Sequence, residues 1–258
     1  MILNSTQAGT GAHIVLLHGL FGRLQNLGTL ARRLAAHGRV ISIDIRNHGA
    51  SPHAAWMDYR TLAGDVLETL TALNVTQAAL LGHSMGGKTA MATALMAPDR
   101  VSRLLVADIA PVAYAHHNAP VAAAMQAMKL VPGMTRGDAD RALLRAVPDA
   151  TVRGFQLQNF LPGAAPGWRI GLNEIAAAVG DLEGWPVWPP GTTYEGPALF
   201  ISGGKSDYVL PQHEAAITAL FPAAVRAVLP EAGHWLHADA AEEFAAQAER
   251  FLFVDRSG

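Results

Sequence analysis

The 258-residue chain contains no cysteine, which removes disulfides, zinc–thiolate centres and cysteine nucleophiles together. Charge is also sparse. Only 16% of residues are charged and the formal net charge is −2, so no broad field draws the chain to nucleic acid or an anionic membrane. No run is long and apolar enough to span a bilayer. Met1–Gly11 has no basic segment leading into a long apolar run, so no secretory signal is expected and a cytoplasmic location is the default. What the chain has in quantity is apolar surface: 50% of residues are hydrophobic, which suits a well-packed globule rather than a disordered chain. Its length is enough for one large α/β core.

Short apolar runs bounded by glycine alternate with longer amphipathic segments, the pattern of a mostly parallel sheet flanked by helices. Strands are expected at His13–Leu17, Arg39–Ile45, Gln77–Leu81, Arg103–Ala107, Ala198–Ser202 and Val225–Leu229. Tyr59–Leu73 spaces Leu62, Val66, Leu70 and Leu73 along one helical face, and Met85–Met96 reads as a helix stopped by Pro98. Asp239 with Glu242 three residues later reads as a capping pair opening a final helix to about Phe251. The alternation breaks between about Pro111 and Pro197, where helical patches such as Val121–Leu130 and Ala139–Ala146 occur without a convincing strand. An excursion of that length is too long for a structureless connection. The expected organisation is therefore a core of residues 1–111 and 197–258, with residues 112–196 inserted as a helical cap.

Gly82-His83-Ser84-Met85-Gly86 is a G-x-S-x-G sequence directly after the apolar run Ala78–Leu81 and directly before a helix. That context makes it a strand-to-helix turn holding an exposed serine hydroxyl, rather than a glycine-rich turn with an incidental serine. A serine hydroxyl needs a base. In the chain order nucleophile, acid, histidine, the search runs toward the C-terminus. There His234, in Gly233-His234-Trp235, follows the strand Val225–Leu229 at the sheet edge where ligands collect. A tetrahedral intermediate also needs two backbone N–H donors. Met85 is expected to supply one. The loop His18-Gly19-Leu20-Phe21-Gly22 supplies the other, through Leu20 with Phe21 as fallback, while His18 braces the loop. Phe21, His83 and Trp235 are placed at the substrate pocket.

The acid has two candidates. The usual place, three residues past a glycine after Ala198–Ser202, is occupied by Ser206, with Asp207 one residue further. Asp108 ends the strand Arg103–Ala107, and its loop is expected at the same sheet edge, within reach of the same imidazole. Asp108 is favoured, with Ser206 as an auxiliary hydrogen-bond partner of His234 or Asp108 and Asp207 as the alternative acid.

Together, His18-Gly19-Leu20-Phe21-Gly22, Asp44-Ile45-Arg46-Asn47-His48-Gly49-Ala50-Ser51-Pro52-His53, Gly82–Met91, Asp108-Ile109-Ala110-Pro111-Val112, Gly203-Gly204-Lys205-Ser206 and Ala232–Trp235 resemble the α/β-hydrolase superfamily. The branch is that of small bacterial esterases with mitochondrial counterparts, and the similarity runs from about residue 14 to 253, weakest in the cap. The resemblance implies a carboxylesterase, with thioesters as further substrates. It also implies an acid after the strand that follows the nucleophile, with serine at the usual acid position, which matches Asp108 and Ser206. Asp207 is a departure from that branch.

The expected reaction is hydrolysis of a small-molecule acyl ester through an acyl-enzyme, with no cofactor, by a monomer or small homo-oligomer. Carbon–carbon bond hydrolysis by the same residues and ligand binding on a hydrolase fold are the rivals. Epoxide hydrolysis and dehalogenation are disfavoured because Ser84 stands where those reactions use aspartate. The pairs His116-His117 and His234 with His237 lack the carboxylate cluster a metal would need. Met125, Met128 and Met134, with Trp168 and Trp185, are expected to pack the cap over the pocket and to offer an adaptable acyl tunnel. Arg46 and His48 are expected to brace the entrance loop, and Lys88 to be structural.

Overall fold

The computed structural model describes residues 1–115 and 118–253. Nine strands occur in chain order: β1 (Ser5–Ala8), β2 (His13–Leu17), β3 (Arg39–Ile43), β4 (Ala78–His83), β5 (Val101–Ala107), β6 (Phe160–Leu161), β7 (Gly167–Trp168), β8 (Ala198–Gly203) and β9 (Ala224–Leu229). Seven form one sheet in the order β1-β3-β2-β4-β5-β8-β9, and only the β1–β3 pairing is antiparallel. The helices are α1 (Gly28–Leu34), α2 (Tyr59–Ala72), α3 (Met85–Met96), α4 (Ala119–Ala127), α5 (Arg136–Leu143), α6 (Ala150–Gln156), α7 (Leu172–Glu183), α8 (Glu214–Leu220), α9 (Leu236–Asp239) and α10 (Ala241–Phe253).

The central strands are apolar in both directions because both faces are covered. Val15, Leu17, Ile41, Ile43, Leu80, Leu104 and Val106 point to one face, where α2, α3 and α8 pack. Ile14, Leu16, Val40, Leu81, Leu105 and Ile201 point to the other, against α1 and α10. The two-residue period of a strand sorts these neighbours to opposite sides. Helix α3 is buried on every side. Its interior hydroxyls are satisfied within the helix: Thr89 Oγ1 donates to Met85 O (2.9 Å) and Thr93 Oγ1 to Thr89 O (2.8 Å). Helix α2 opens on Asp58, whose carboxylate accepts the Thr61 N–H (3.0 Å).

Helices α4 to α7 and the β6–β7 ribbon fall between β5 and β8. Met125, Leu143, Ile175 and Val179 of this insertion are buried in the same cluster as α2 and α3. Side chains tie the insertion down: Asn159 Nδ2 donates to Phe21 O (2.6 Å), and Tyr59 OH donates to Leu182 O (2.5 Å).

Several expectations need correction. The edge strand β1 was missed, since Ser5–Ala8 is short, polar and exposed. Strand β3 ends at Ile43, because Asp44 turns into the loop it organises by accepting from Leu24 N (2.8 Å) and Ala50 N (2.9 Å). Asp239 does not open the last helix. It ends α9, and its carboxylate accepts the Gly233 N–H (2.9 Å), tying the histidine loop instead. A stretch read as strandless carries the two-residue strands β6 and β7. The histidine pair His116-His117 lies outside the described residues.

Candidate active site

Strand β4 delivers Ser84 to the C-terminal edge of the sheet, at the residue capping α3. Its backbone sits at φ 53°, ψ −121°, a left-handed conformation that a non-glycine residue holds only when its surroundings fix it. Those surroundings are visible. Ser84 N donates to Ala107 O (3.0 Å), and Ser84 O accepts from Lys88 N (3.0 Å). The flanking glycines are required by space. A Cβ on Gly82 would lie 2.1 Å from Gly86 O, and one on Gly86 would lie 2.2 Å from Leu17 O. Helix α3 thus starts pressed against the end of β2, with the Met85 N–H beside the nucleophile.

The loop after β2 faces that turn. Phe21 has φ 59°, and its N–H donates to His48 Nε2 (3.0 Å). That bond occupies the N–H proposed as the fallback oxyanion donor, so Phe21 drops out of that role. Among the described residues, neither the Leu20 nor the Met85 N–H has a protein acceptor. His18 braces the loop: its Nε2 accepts from Ile45 N (3.0 Å), which leaves Nδ1–H to donate to Gly19 O (2.8 Å). His48 is built the same way, with Nδ1–H donating to Arg46 O (2.9 Å). Burial and the neighbouring His18 push His48 down to about 3, so it stays a neutral acceptor. Arg46 is clamped by Asp65, through Nε at 2.5 Å and a terminal nitrogen at 2.7 Å.

The loop after β9 places His234 against Asp108 at the end of β5. His234 Nδ1 lies 2.7 Å from Asp108 Oδ2. Asp108 is fully buried, sits at φ 51° and accepts from Gly203 N (2.9 Å) through its other oxygen. Ser206 Oγ donates to the same Asp108 oxygen that meets His234. Asp207, the alternative acid, is exposed and lies on the wall of the cavity in front of Ser84. The ring of Tyr208 stacks on His234 at a centroid distance of 3.9 Å. His83, next to the nucleophile, donates from Nε2 to His234 O (2.7 Å). Burial, then the neighbouring His234 and His237, hold His83 well below the usual histidine range.

Two cavities meet at Ser84. The wider one, about 680 Å³, is lined by Phe21, His83, His234, Trp235, Phe155 and Asp207 among others. The narrower one, about 30 Å³, runs the other way, past Leu20 and Met85 to Tyr59, Lys88, Tyr114 and Glu183. Met125, Met128, Met134, Trp168 and Trp185 line neither of these two cavities; the three methionines are buried in the core cluster, and Trp168 and Trp185 pack against it. Among the described residues no group of three or more histidine or carboxylate side chains could hold a metal ion, and His237 packs instead on His83 at 4.9 Å between ring centroids.

Sequence reasoning missed Tyr208 and Tyr114 at the site. Tyr114 OH accepts from Ala110 N (2.8 Å) and donates to Tyr208 O (2.6 Å), so it positions the ring that covers His234. Neither tyrosine carries a spacing signal. They come from separate loops and meet only in space.

A serine at a nucleophile elbow, a histidine paired to a buried carboxylate at the neighbouring strand ends and two uncommitted N–H groups define a serine-hydrolase arrangement on a parallel sheet. The α/β-hydrolase fold family model matches residues 12–241, and the chain belongs to that family. It is 40% identical over 248 residues to the mouse (Mus musculus) sn-1-specific diacylglycerol lipase ABHD11, covering 93% of this chain and 80% of the relative. It is 38% identical over 240 residues to Esterase YbfF of Escherichia coli K12, covering 93% and 92% respectively. A solved marine microorganism esterase superposes with a TM-score of 0.93 at 32% identity, covering 97% of this chain and 99% of that one.

Proposed function

We propose that the chain is a serine carboxylesterase that works through an acyl-enzyme on Ser84, with His234 as general base and acid and Asp108 as the residue that orients and stabilises the imidazole. The chain is an ester-hydrolysing serine hydrolase, and the observation that carries this assignment of roles is the 2.7 Å contact between His234 Nδ1 and buried Asp108 at the cavity that also holds Ser84. With Nδ1–H given to Asp108, Nε2 is left basic and free to take the Ser84 proton. The hydroxyl oxygen adds to the ester carbonyl, and the resulting oxyanion is met by the N–H groups of Met85 and Leu20. His234 then protonates the leaving alcohol. Water activated by the same nitrogen releases the acid. Ser206 holds Asp108 from the side, and Phe21, His83 and Trp235 shape the wider cavity. Residues 112–196 act as the cap, residues 1–111 and 197–258 as the core.

Hydrolysis of p-nitrophenyl esters by wild type and Ser84→Ala tests the reading. Loss of about four orders of magnitude or more in kcat is expected in the variant. Near-normal turnover in Ser84→Ala would overturn it. Turnover of a thioester and a vinylogous diketone beside the ester separates the carboxylesterase from a thioesterase or a carbon–carbon hydrolase.

A further inference from the structure

The nucleophile helix carries a buried cation that the mechanism does not use. Lys88 is 1% exposed and lies one turn past Ser84, about 6 Å along α3. Its ammonium donates to Gly184 O (2.6 Å) and Glu183 O (3.2 Å) at the C-terminus of α7, and sits 4.7 Å from the ring centre of Tyr114 and 5.3 Å from that of Tyr59. Carbonyls at a helix end and ring faces favour a positive charge. Yet two of its three N–H donors account for every hydrogen bond it makes among the described residues, and no carboxylate there lies within ion-pair distance of it. A bond to helix-end carbonyls is a structural role, but it leaves one donor over, in a place where burial pushes the amine down to about 7 although the charge of nearby Glu183 pulls the other way.

The open side of Lys88 faces the narrow cavity whose other end is Ser84. His234 lines only the wider cavity. Because His234 must reach the oxygen of the departing alcohol, the alcohol leaves through the wider side, and the acyl group points the other way, toward Lys88. A volume of about 30 Å³ accommodates only about two or three water-sized groups, so that acyl group is short.

We propose that the narrow cavity is an acyl subsite for short acids that end in a carboxylate, with Lys88 as the specificity-determining cation at its floor. This rests on the esterase reading above. In that subsite the far carboxylate of a short dicarboxylic half-ester on Ser84 meets the ammonium that lines the same cavity, whereas an apolar acyl group of the same length offers it no partner.

The test compares mono-p-nitrophenyl succinate with p-nitrophenyl butyrate on wild type and Lys88→Met, at or below neutral pH, as a ratio of kcat/KM values. Wild type is expected to favour the succinyl ester by about tenfold or more, and Lys88→Met to lose that preference. Calorimetric binding of free succinate and butyrate to wild type gives a second readout that needs no variant to fold and no turnover; succinate is expected to bind more tightly. An equal or butyrate-favouring ratio in wild type, a preference that survives in folded Lys88→Met, or succinate binding no tighter than butyrate overturns the subsite. If wild type hydrolyses neither ester, it is the esterase reading that falls, and the calorimetry still decides the subsite.

Discussion

Asp108→Asn separates the two candidate acids with the fold held nearly constant. The carboxylate is fully buried and accepts from Gly203 N at 2.9 Å, from Ser206 Oγ and from His234 Nδ1 at 2.7 Å. An amide of the same shape keeps its oxygen for Gly203, and Ser206 can turn its hydroxyl to accept. What cannot be kept is the donor at His234 Nδ1, because an amide NH₂ facing that nitrogen forces the proton onto Nε2. The imidazole then presents a donor, not a base, to Ser84, and the imidazolium formed during attack loses its counter-charge. That exchange in a serine triad lowers kcat by on the order of 10⁴, or about 5.4 kcal/mol of barrier. A loss of about 10³–10⁴ in kcat on a p-nitrophenyl ester is therefore expected, with KM changed by much less and the urea midpoint close to wild type. Asp207→Asn, measured beside it, should retain most activity because Asp207 is exposed on the cavity wall. Asp108→Asn within tenfold of wild type, or Asp207→Asn as the inactive member, would refute the assignment.

Ser206→Ala removes one donor from Asp108 without touching His234, and a bond to a charged acceptor is worth about 1.5–3 kcal/mol. A loss of roughly tenfold in kcat is expected, with an unchanged kcat ruling out the auxiliary role. Gly86→Ala would put a methyl 2.2 Å from the Leu17 carbonyl and should destabilise the chain by roughly 2 kcal/mol or more, whereas Gly64→Ala, with nothing within 4 Å in α2, should stabilise it by about 0.5–1 kcal/mol. Urea unfolding of both reads the contrast, and equal effects would mean that crowding at the nucleophile turn is not what requires glycine. Lys88 is pushed by burial from 10.5 to about 7, so between those values the unfolded chain holds a proton the native chain has released. The burial penalty is fully present below about pH 7, and stability should rise with pH above it by up to about 1.4 kcal/mol per unit. Lys88→Met should flatten that slope in urea unfolding from pH 7 to 9, and parallel slopes would contradict the shift.

The local grammar of the chain determined most of the sheet. Strand β2 and helix α3 lie where their residues predict them, because an apolar run buried on both faces and a helix ended by Pro98 each carry their signal within a few residues. The placing of Ser84, of the loop after β2 and of His234 at one sheet edge was legible for the same reason: each rests on a short motif tied to the end of a strand. Sequence also narrowed the acid to two residues, since both Asp108 and Asp207 follow strands that end at one edge. Only the packed structure decided between their positions. Whether a carboxylate reaches an imidazole 126 residues away depends on how β5, β8 and β9 pair and on how their loops turn, and here Asp108 is buried against His234 while Asp207 stays exposed. The same holds for Tyr208 over His234 and for Lys88 at the floor of the narrow cavity. These are contacts between distant loops and helices, fixed by long-range burial rather than by the spacing of neighbouring residues, and no period along the chain records them.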